Sequence, residues 1–589
     1  MKMTISSISI KNVKGIQNRT FDLNISPNKP SLLVAPNGFG KSSIAIAFAS
    51  LRSNRVELHD DHFFENDQNN LPEITIKYKK PDNTIVDLIA DSSSNAISDE
   101  FSYFVINSQV KANGIGRSFG GRNIVTASLE IEAVTLIDTI PERCTFDYSY
   151  SSQKSSFNKN GKVLPNISGL FDNLKLVMKL SELYSEFDAV LLVRNQKIIL
   201  NFIKNVDLEN GTREQLFAVI SASHINLLLE IEALKKIAET IKDLEATINN
   251  SLVQAFLAAI QIANVYQSDK VKFKKACKYC SYKLEVDSYT SLLKSFNTTW
   301  KEIKPEVNGR SLVVKFPKVQ LVSNGQRDIL SFISLIIRAK RRLNKDKCIL
   351  IIDEVFDYLD DANLISAQYY VTKLIDEYKK DGKEIYPLIL THLNPRYFKN
   401  YAFSKQKVYY LDKRDGSCVS NHLIKLLIKR NEASIKDDVS KYLLHFHPEE
   451  INKKSEFQQL GIKASWGAGD GFKQFIDTEM QKFLSDSHYD PLAVCCGVRR
   501  KIEEIVYADL STDESKITFL DEHGTKNKLQ VAEECGVIVP EYFYLLGIIY
   551  NDGMHWKENQ DNVSPIAAKL ENMTIKKLIT DAFGIIGGP

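Results

Sequence analysis

Apolar and polar residues alternate through "ISSISIKNVKGIQNRTFDLN". This pattern predicts a pair of strands, each with one buried face. The next apolar run, "SLLVA", breaks into "PNGFGKSS" and resumes as "IAIAFASL", so a strand, a loop and a helix follow one another. "EITIKYKKPDNTIVDLI" predicts a hairpin turned by Pro-Asp-Asn, and "FSYFVINSQ" a further strand. Between about residues 125 and 310 the pattern loosens. There "AVLLVRNQKIIL" reads as strand-like, ahead of long helical stretches from about 212 to 305. "SLVVKF" then predicts a strand, and "GQRDILSFISLIIRAKRR" a helix with an apolar face at Ile329, Ile333, Ile336 and Ile337. "CILIIDE" and "IYPLILTH" are unbroken apolar runs of the kind found in buried parallel strands. Beyond about residue 415 the periodicity is mainly helical.

Composition narrows the class. A chain of 589 residues exceeds one ordinary core and implies two to four domains. With 43% hydrophobic and 25% charged residues it reads as globular, and a net charge of +3 does not by itself indicate a nucleic-acid partner. No apolar run approaches the ~18 residues of a membrane span, and the start carries no apolar leader core. The cysteines are scattered apart from "CKYC" and "CC", which suits a reduced, cytoplasmic setting without a membrane.

The loop "APNGFGKSS" carries the first candidate chemistry. The phosphate-cradling pattern G-x-x-x-x-G-K-[ST] fits it except that Ala35 stands in the first glycine position. Backbone N–H groups from Asn37 to Lys41 can wrap a phosphate, with Gly38 and Gly40 where the backbone comes closest. Lys41 would reach the outer phosphates, Ser42 would ligate Mg²⁺, and Ser43 completes the helix start. "CILIIDE" delivers two acids at a strand end: Asp353 for the Mg²⁺ shell and Glu354 to polarise the attacking water. Asp360 follows in a second acidic loop, and His392 ends the "LILTH" strand, where it can contact a terminal phosphate.

"LVSNGQRDIL" supplies a second anion site. Ser323, Asn324, Gly325 and Gln326 precede a helix N-terminus, and one nucleotide hardly needs two such ends from the same fold position. A head-to-tail dimer resolves this, with each Ser323 loop closing on the partner's P-loop.

Taken together, these motifs resemble an ABC-type ATPase of the SMC/RecF/RecN branch. "APNGFGKS" is similar to Walker A, "SNGQ" to the signature, "ILIIDE" to Walker B, "DEVFDYLD" to the D-loop and "LTH" to the H-loop. "FVINSQV" lies where the Q-loop falls, which makes Gln109 a nucleotide contact by resemblance. The resemblance implies an α/β ATPase head with a helical, short coiled-coil insertion, ATP and Mg²⁺ as cofactors, and a homodimer or a higher oligomer of dimers. Expected boundaries are 1–124 and 305–416 for the two parts of the head, 125–304 for the insertion, with a β-rich lobe before its helical hairpins, and 417–589 for a helical C-terminal domain.

Two further motifs fall outside the head. Cys277 and Cys280 of "CKYC" are flanked by helical segments of similar length, which would put them at a hairpin tip as in a zinc hook. The opposite reading is two cysteines packed on helices. "AVCCGVRRKIEEIVYADL" and "EYFYLLGIIYNDGMHW" vaguely resemble HEPN helical bundles, in which Asn551 and His555 fit part of the ribonuclease motif. The arginine of that motif is missing, so one such as Arg500 would have to supply it; the alternative is a docking domain presenting Arg499 and Arg500. The pairs His59/His62 and His445/His447 lack metal-ligand spacing and read as surface polar residues. Bacterial anti-phage ATPases of the anticodon-nuclease kind resemble this layout. They imply a sensor or regulator with an effector protein partner, and nucleic acid as a further ligand. The alternatives are a RecF/RecN-like repair ATPase and an ATP-gated ribonuclease in one chain.

Overall fold

The computed structural model describes residues 3–35, 38–80, 82–107, 110–119, 122–244, 251–296, 302–317, 323–398, 407–411, 419–556 and 561–584. Its strands are β1 (Thr4–Val13), β2 (Ile16–Ile25), β3 (Ser31–Val34), β4 (Glu73–Lys79), β5 (Ile85–Asp91), β6 (Phe101–Ile106) and β7 (Val110–Phe119). They continue as β8 (Arg122–Ile131), β9 (Val134–Ile137), β10 (Pro305–Asn308), β11 (Ser311–Val314), β12 (Lys347–Asp353), β13 (Glu384–Thr391) and β14 (Lys407–Tyr410).

The fold is mixed α/β. The alternating N-terminal pattern becomes an antiparallel sheet in the order β2-β1-β4-β5, in which Ile8 stands opposite both Phe21 and Ile76. The unbroken apolar runs become a parallel sheet, β14-β3-β13-β12-β6, whose central strands are buried on both faces. Ile8, Ile10, Phe48, Ile349, Ile351 and Leu388 share one core that joins the two sheets. Thr391 pairs with Val34, and Asp353 with Leu390, so β3, β12 and β13 finish side by side. That shared carboxyl edge is where open parallel sheets place ligands.

The chain packs as two compact units, residues 1–108 with 339–589, and residues 109–338. The Ser323 segment packs in the second unit, with the insertion. Within that second unit a β7–β8 hairpin and a β10-β11-β9 sheet accompany one helical core.

Two expectations are corrected in this unit. "AVLLVRNQKIIL" is helical, spanning the end of the Tyr184–Val190 helix and the start of Val193–Leu208. The Val193–Leu208 helix buries Asn195, Ile199, Phe202 and Val206, a 4-3-4 spacing, while Val193, Leu200 and Leu208 face solvent and disguise the period. "CKYC" is not a hairpin tip either. The turn lies at Asp269, which ends the Leu252–Ser268 helix and whose carboxylate accepts from Lys272 N at 2.8 Å to start Lys270–Phe296.

The C-terminal region of the first unit is helical, as expected, and its core includes Trp466, Phe472, Leu492, Ile502 and Tyr550. Among the described residues no helix is long and apolar enough to cross a membrane.

Candidate nucleotide site

Gly38 (φ 86°) and Gly40 (φ 89°) both hold the left-handed backbone that lets the loop leave β3 and enter the Lys41–Ala49 helix. A Cβ on Gly40 would also come within 3.1 Å of Ile16 Cδ1. Arg19 donates to Phe39 O at 3.2 Å and stacks 4.8 Å from the Phe21 ring centroid, which ties the loop to β2. Ala35 is buried in the core of the head and donates its N–H to Thr391 O, which continues the β3–β13 pairing one residue past β3. The Lys41 ammonium is buried, donates to Ala35 O at 2.6 Å and lies 3.3 Å from Glu354 Oε1. One cation thus joins the phosphate loop to the acids at the end of β12.

Glu354 has φ 56°, uncommon for a residue with a long side chain, and its N–H is held by Leu390 O at 2.9 Å. The turn bends the chain just past Asp353, so that the two acids are presented differently. Asp353 is largely buried, whereas the Glu354 side chain is 25% exposed, as a water-polarising base must be.

Asp357, which the sequence reading passed over, is the missed residue of the site. Its fully buried carboxylate accepts from Thr391 Oγ1 and from His392 N at 3.1 Å, and lies 3.0 Å from His392 Nδ1. This pins His392, leaving Nε2 as the ring nitrogen for a phosphate. The signal was its place three residues past Glu354 in "DEVFDYLDD", hidden by the acids on either side.

A divalent cation fits Asp353 on the structure's own terms. Its Oδ1 is buried and has no hydrogen-bond partner, and an acceptor-only oxygen left so is satisfied by a metal ion or its water. Ser42, at the start of the Lys41–Ala49 helix, is the hydroxyl that would join it. Burial, then the Glu354 charge, pushes the Asp353 carboxyl up to about 6. Below that pH a cation must displace a proton. Affinity for Mg²⁺-nucleotide should therefore fall about tenfold per pH unit below 6. Calorimetric titrations at pH 5 and pH 7.5 check this; equal affinities would remove Asp353 from the metal site.

The remaining expected residues are placed as follows. Asn37 and Gln109 lie outside the described residues. Asp360 is exposed and caps the Asp361–Lys380 helix, accepting from Asn363 N at 2.9 Å. In the other unit, Ser323 is exposed just ahead of the Asn324–Arg342 helix and Gln326 donates to Phe296 O at 3.2 Å, while Gly325 opens the helix with them.

Cys277 and Cys280 are both buried on the Lys270–Phe296 helix, where burial pushes Cys277 up to about 12 and Cys280 upward as well. His445 is not a surface residue, being buried against Glu503.

The arginines of the C-terminal region are also redistributed. Arg500 donates to the carbonyls of Tyr442, Leu443 and His445 and does not reach Asn551 or His555. Arg499 is buried, donating to Tyr550 O at 2.9 Å and Asn551 Oδ1 at 3.3 Å, so it offers no docking surface. The arginine beside His555 is Arg430, 3.5 Å from His555 Nδ1. Its placement was illegible because it lies 125 residues away in sequence.

No protein-family model and no curated protein matches the chain. Solved structures it is similar to include the Smc head domain with an extended coiled coil bound to the C-terminal domain of ScpA, from Pyrococcus furiosus. That structure is 13% identical, covers 70% of this chain and 94% of its own, and has a TM-score of 0.27. The SMC head domain from Thermotoga maritima is 11% identical, covering 68% and 93%, at a TM-score of 0.21. RecF bound to ATP is 13% identical, covering 66% and 93%, at 0.21. Superpositions this loose carry no argument, and the site rests on its own geometry.

Proposed function

We propose that the chain binds and hydrolyses ATP as an ABC-type ATPase. One observation carries the reading: β3, β12 and β13 end together, bringing the Gly38–Lys41 loop, Asp353, Glu354 and His392 to one edge, with Lys41 already paired to Glu354. In this scheme Lys41 and the loop N–H groups hold the phosphates, Asp353 and Ser42 hold Mg²⁺, Glu354 takes the proton of the attacking water, and His392, positioned by Asp357, meets the terminal phosphate.

The working form is a head-to-tail dimer in which the Ser323 loop of one copy closes the P-loop site of the other. In the cell the chain acts as the sensor or regulator subunit of a bacterial anti-phage or toxin system, with an effector protein as partner. The support is a P-loop head carrying a short helical insertion and an added helical region. Phage-survival assays with the parent and the Lys41→Ala variant test that role, and equal protection by both would refute it.

Dimerisation has a sharper test. Lys41→Ala and Ser323→Arg homodimers should each be inactive. Mixed one to one, half the dimers are hybrids with one complete site of two, so activity should return to at most about a quarter of the parent. A mixture as inactive as its components would rule out shared sites.

A further inference from the structure

A cavity of about 1050 Å³ separates the phosphate loop from the C-terminal helices of the same unit. One wall is Gly38, Phe39 and the His392–Pro395 segment; the other comes from the Gly547–Gly553, Ser564–Leu570 and Met573–Gly584 helices. The nucleotide loop and the C-terminal region therefore face one another across a shared space.

The far wall is polar, and its cations are held by weak partners. Lys569 Nζ donates to Asp552 Oδ2 at 2.6 Å and to Ile548 O at 3.1 Å, and Lys576 pairs with Asp486; all four of these side chains line the cavity. The Lys569–Asp552 pair is 23% and 47% exposed, and ion pairs this open to solvent are readily exchanged for a stronger anion. A second connection runs through the sheet. Val34, at the root of the loop, pairs with Tyr410 of β14 and accepts from Leu411 N at 3.0 Å, and the Ser564–Leu570 helix packs against β14. The loop is thus connected to the C-terminal helices by two routes, the shared cavity and β3–β14.

We infer that the C-terminal helices read the nucleotide state of the P-loop in cis, the terminal phosphates drawing Lys569 away from Asp552 across the shared cavity. Lys569, on the Ser564–Leu570 helix, holds both Ile548 O and Asp552 of the Gly547–Gly553 helix, so its withdrawal removes that tie and lets the two helices shift relative to one another. This rests on the ATP-binding reading above and names the element to which binding is coupled. Lys569 is a positioning residue: it acts on the helices, and hydrolysis itself stays with the head.

Hydrogen exchange on the full-length protein tests it, with a fluorescent ATP analogue measuring binding in parallel. Adding ATPγS should change exchange in segments 547–553 and 564–576 at least threefold in the parent. It should leave them unchanged in Lys41→Ala. Lys569→Gln should still bind nucleotide, up to about tenfold more weakly than the parent because the phosphates lose that contact, yet at saturating ATPγS lose the response of segment 547–553. Bound nucleotide with unaltered exchange in both segments would overturn the inference while leaving ATP binding intact. Absence of nucleotide binding by the parent would overturn both. A full response in Lys569→Gln would remove Lys569 as the link.

Discussion

Replacing Glu354 with Gln should leave ATP bound and slow its hydrolysis at least a hundredfold. Gln keeps the length and polarity of the side chain, so the turn at φ 56° and the Leu390 O···H–N contact survive. What is lost is a base: general-base catalysis contributes about 10²–10⁴ in rate, and the amide cannot accept the water's proton. Affinity should hold or rise, because Lys41, 3.3 Å from the Glu354 carboxylate, no longer divides its charge between that carboxylate and phosphate. Single-turnover hydrolysis beside equilibrium binding separates the two effects. Turnover at the parent rate would remove Glu354 from the chemistry.

The second large effect concerns folding. The Glu503 carboxylate is fully buried, accepting from His445 Nδ1 at 2.6 Å, Phe446 N at 2.9 Å and Thr525 Oγ1 at 2.7 Å, with Lys528 Nζ at 3.8 Å. Burial alone would raise this acid, but the Nδ1–H bond from His445, the Lys528 charge and the Thr525 hydroxyl outweigh it and hold it well below the usual glutamate range. His445 itself is pushed down by burial, so the neutral ring gives its Nδ1 proton to Glu503 and accepts from Arg499 at Nε2, 3.4 Å away.

Glu503→Ala strands buried Lys528 and Arg499 without a counter-charge, and breaking such a pair costs about 3–5 kcal/mol. Calorimetry should show the transition of the C-terminal region falling by at least several degrees. Glu503→Leu with Lys528→Met should recover part of the loss, since Lys528 is then no longer stranded while Arg499 still is. The pH dependence follows the same pair. With the folded value depressed, the stabilisation is complete above the ordinary glutamate range and is lost as pH falls below that range through the folded value. An unshifted transition in Glu503→Ala would show that the network contributes nothing.

These effects differ in how far the sequence disclosed them. The head was legible because its signals are local: "CILIIDE" and "LILTH" carry strand and chemistry in the same few residues, and Gly38 and Gly40 are the residues a left-handed loop needs. The Glu503 network was not, since His445, Arg499, Glu503 and Thr525 come from separate elements that only packing brings together. Within the insertion, exposed Leu200 and Leu208 made a helix look like a strand, and the turn was sought at two cysteines instead of at Asp269, one residue that ends one helix and caps the next. Asp357 lay in plain sight but reads as one more acid until the side chain is seen holding His392.

The order of the parallel sheet also bears on how the chain is made. β3 lies between β13 and β14, neither of which leaves the ribosome until some 350 residues later, and β6 waits similarly for β12. At a synthesis rate of about 5–20 residues per second, β3 stays without its neighbours for about 20–70 s. The 109–338 unit is complete within that interval and can fold while β3 and β6 of the head still lack their neighbours. Nascent chains stalled before residue 347 should therefore protect the insertion from protease and leave β3 and β6 open to holdase chaperones. The nucleotide site is accordingly among the last features of the molecule to come into being.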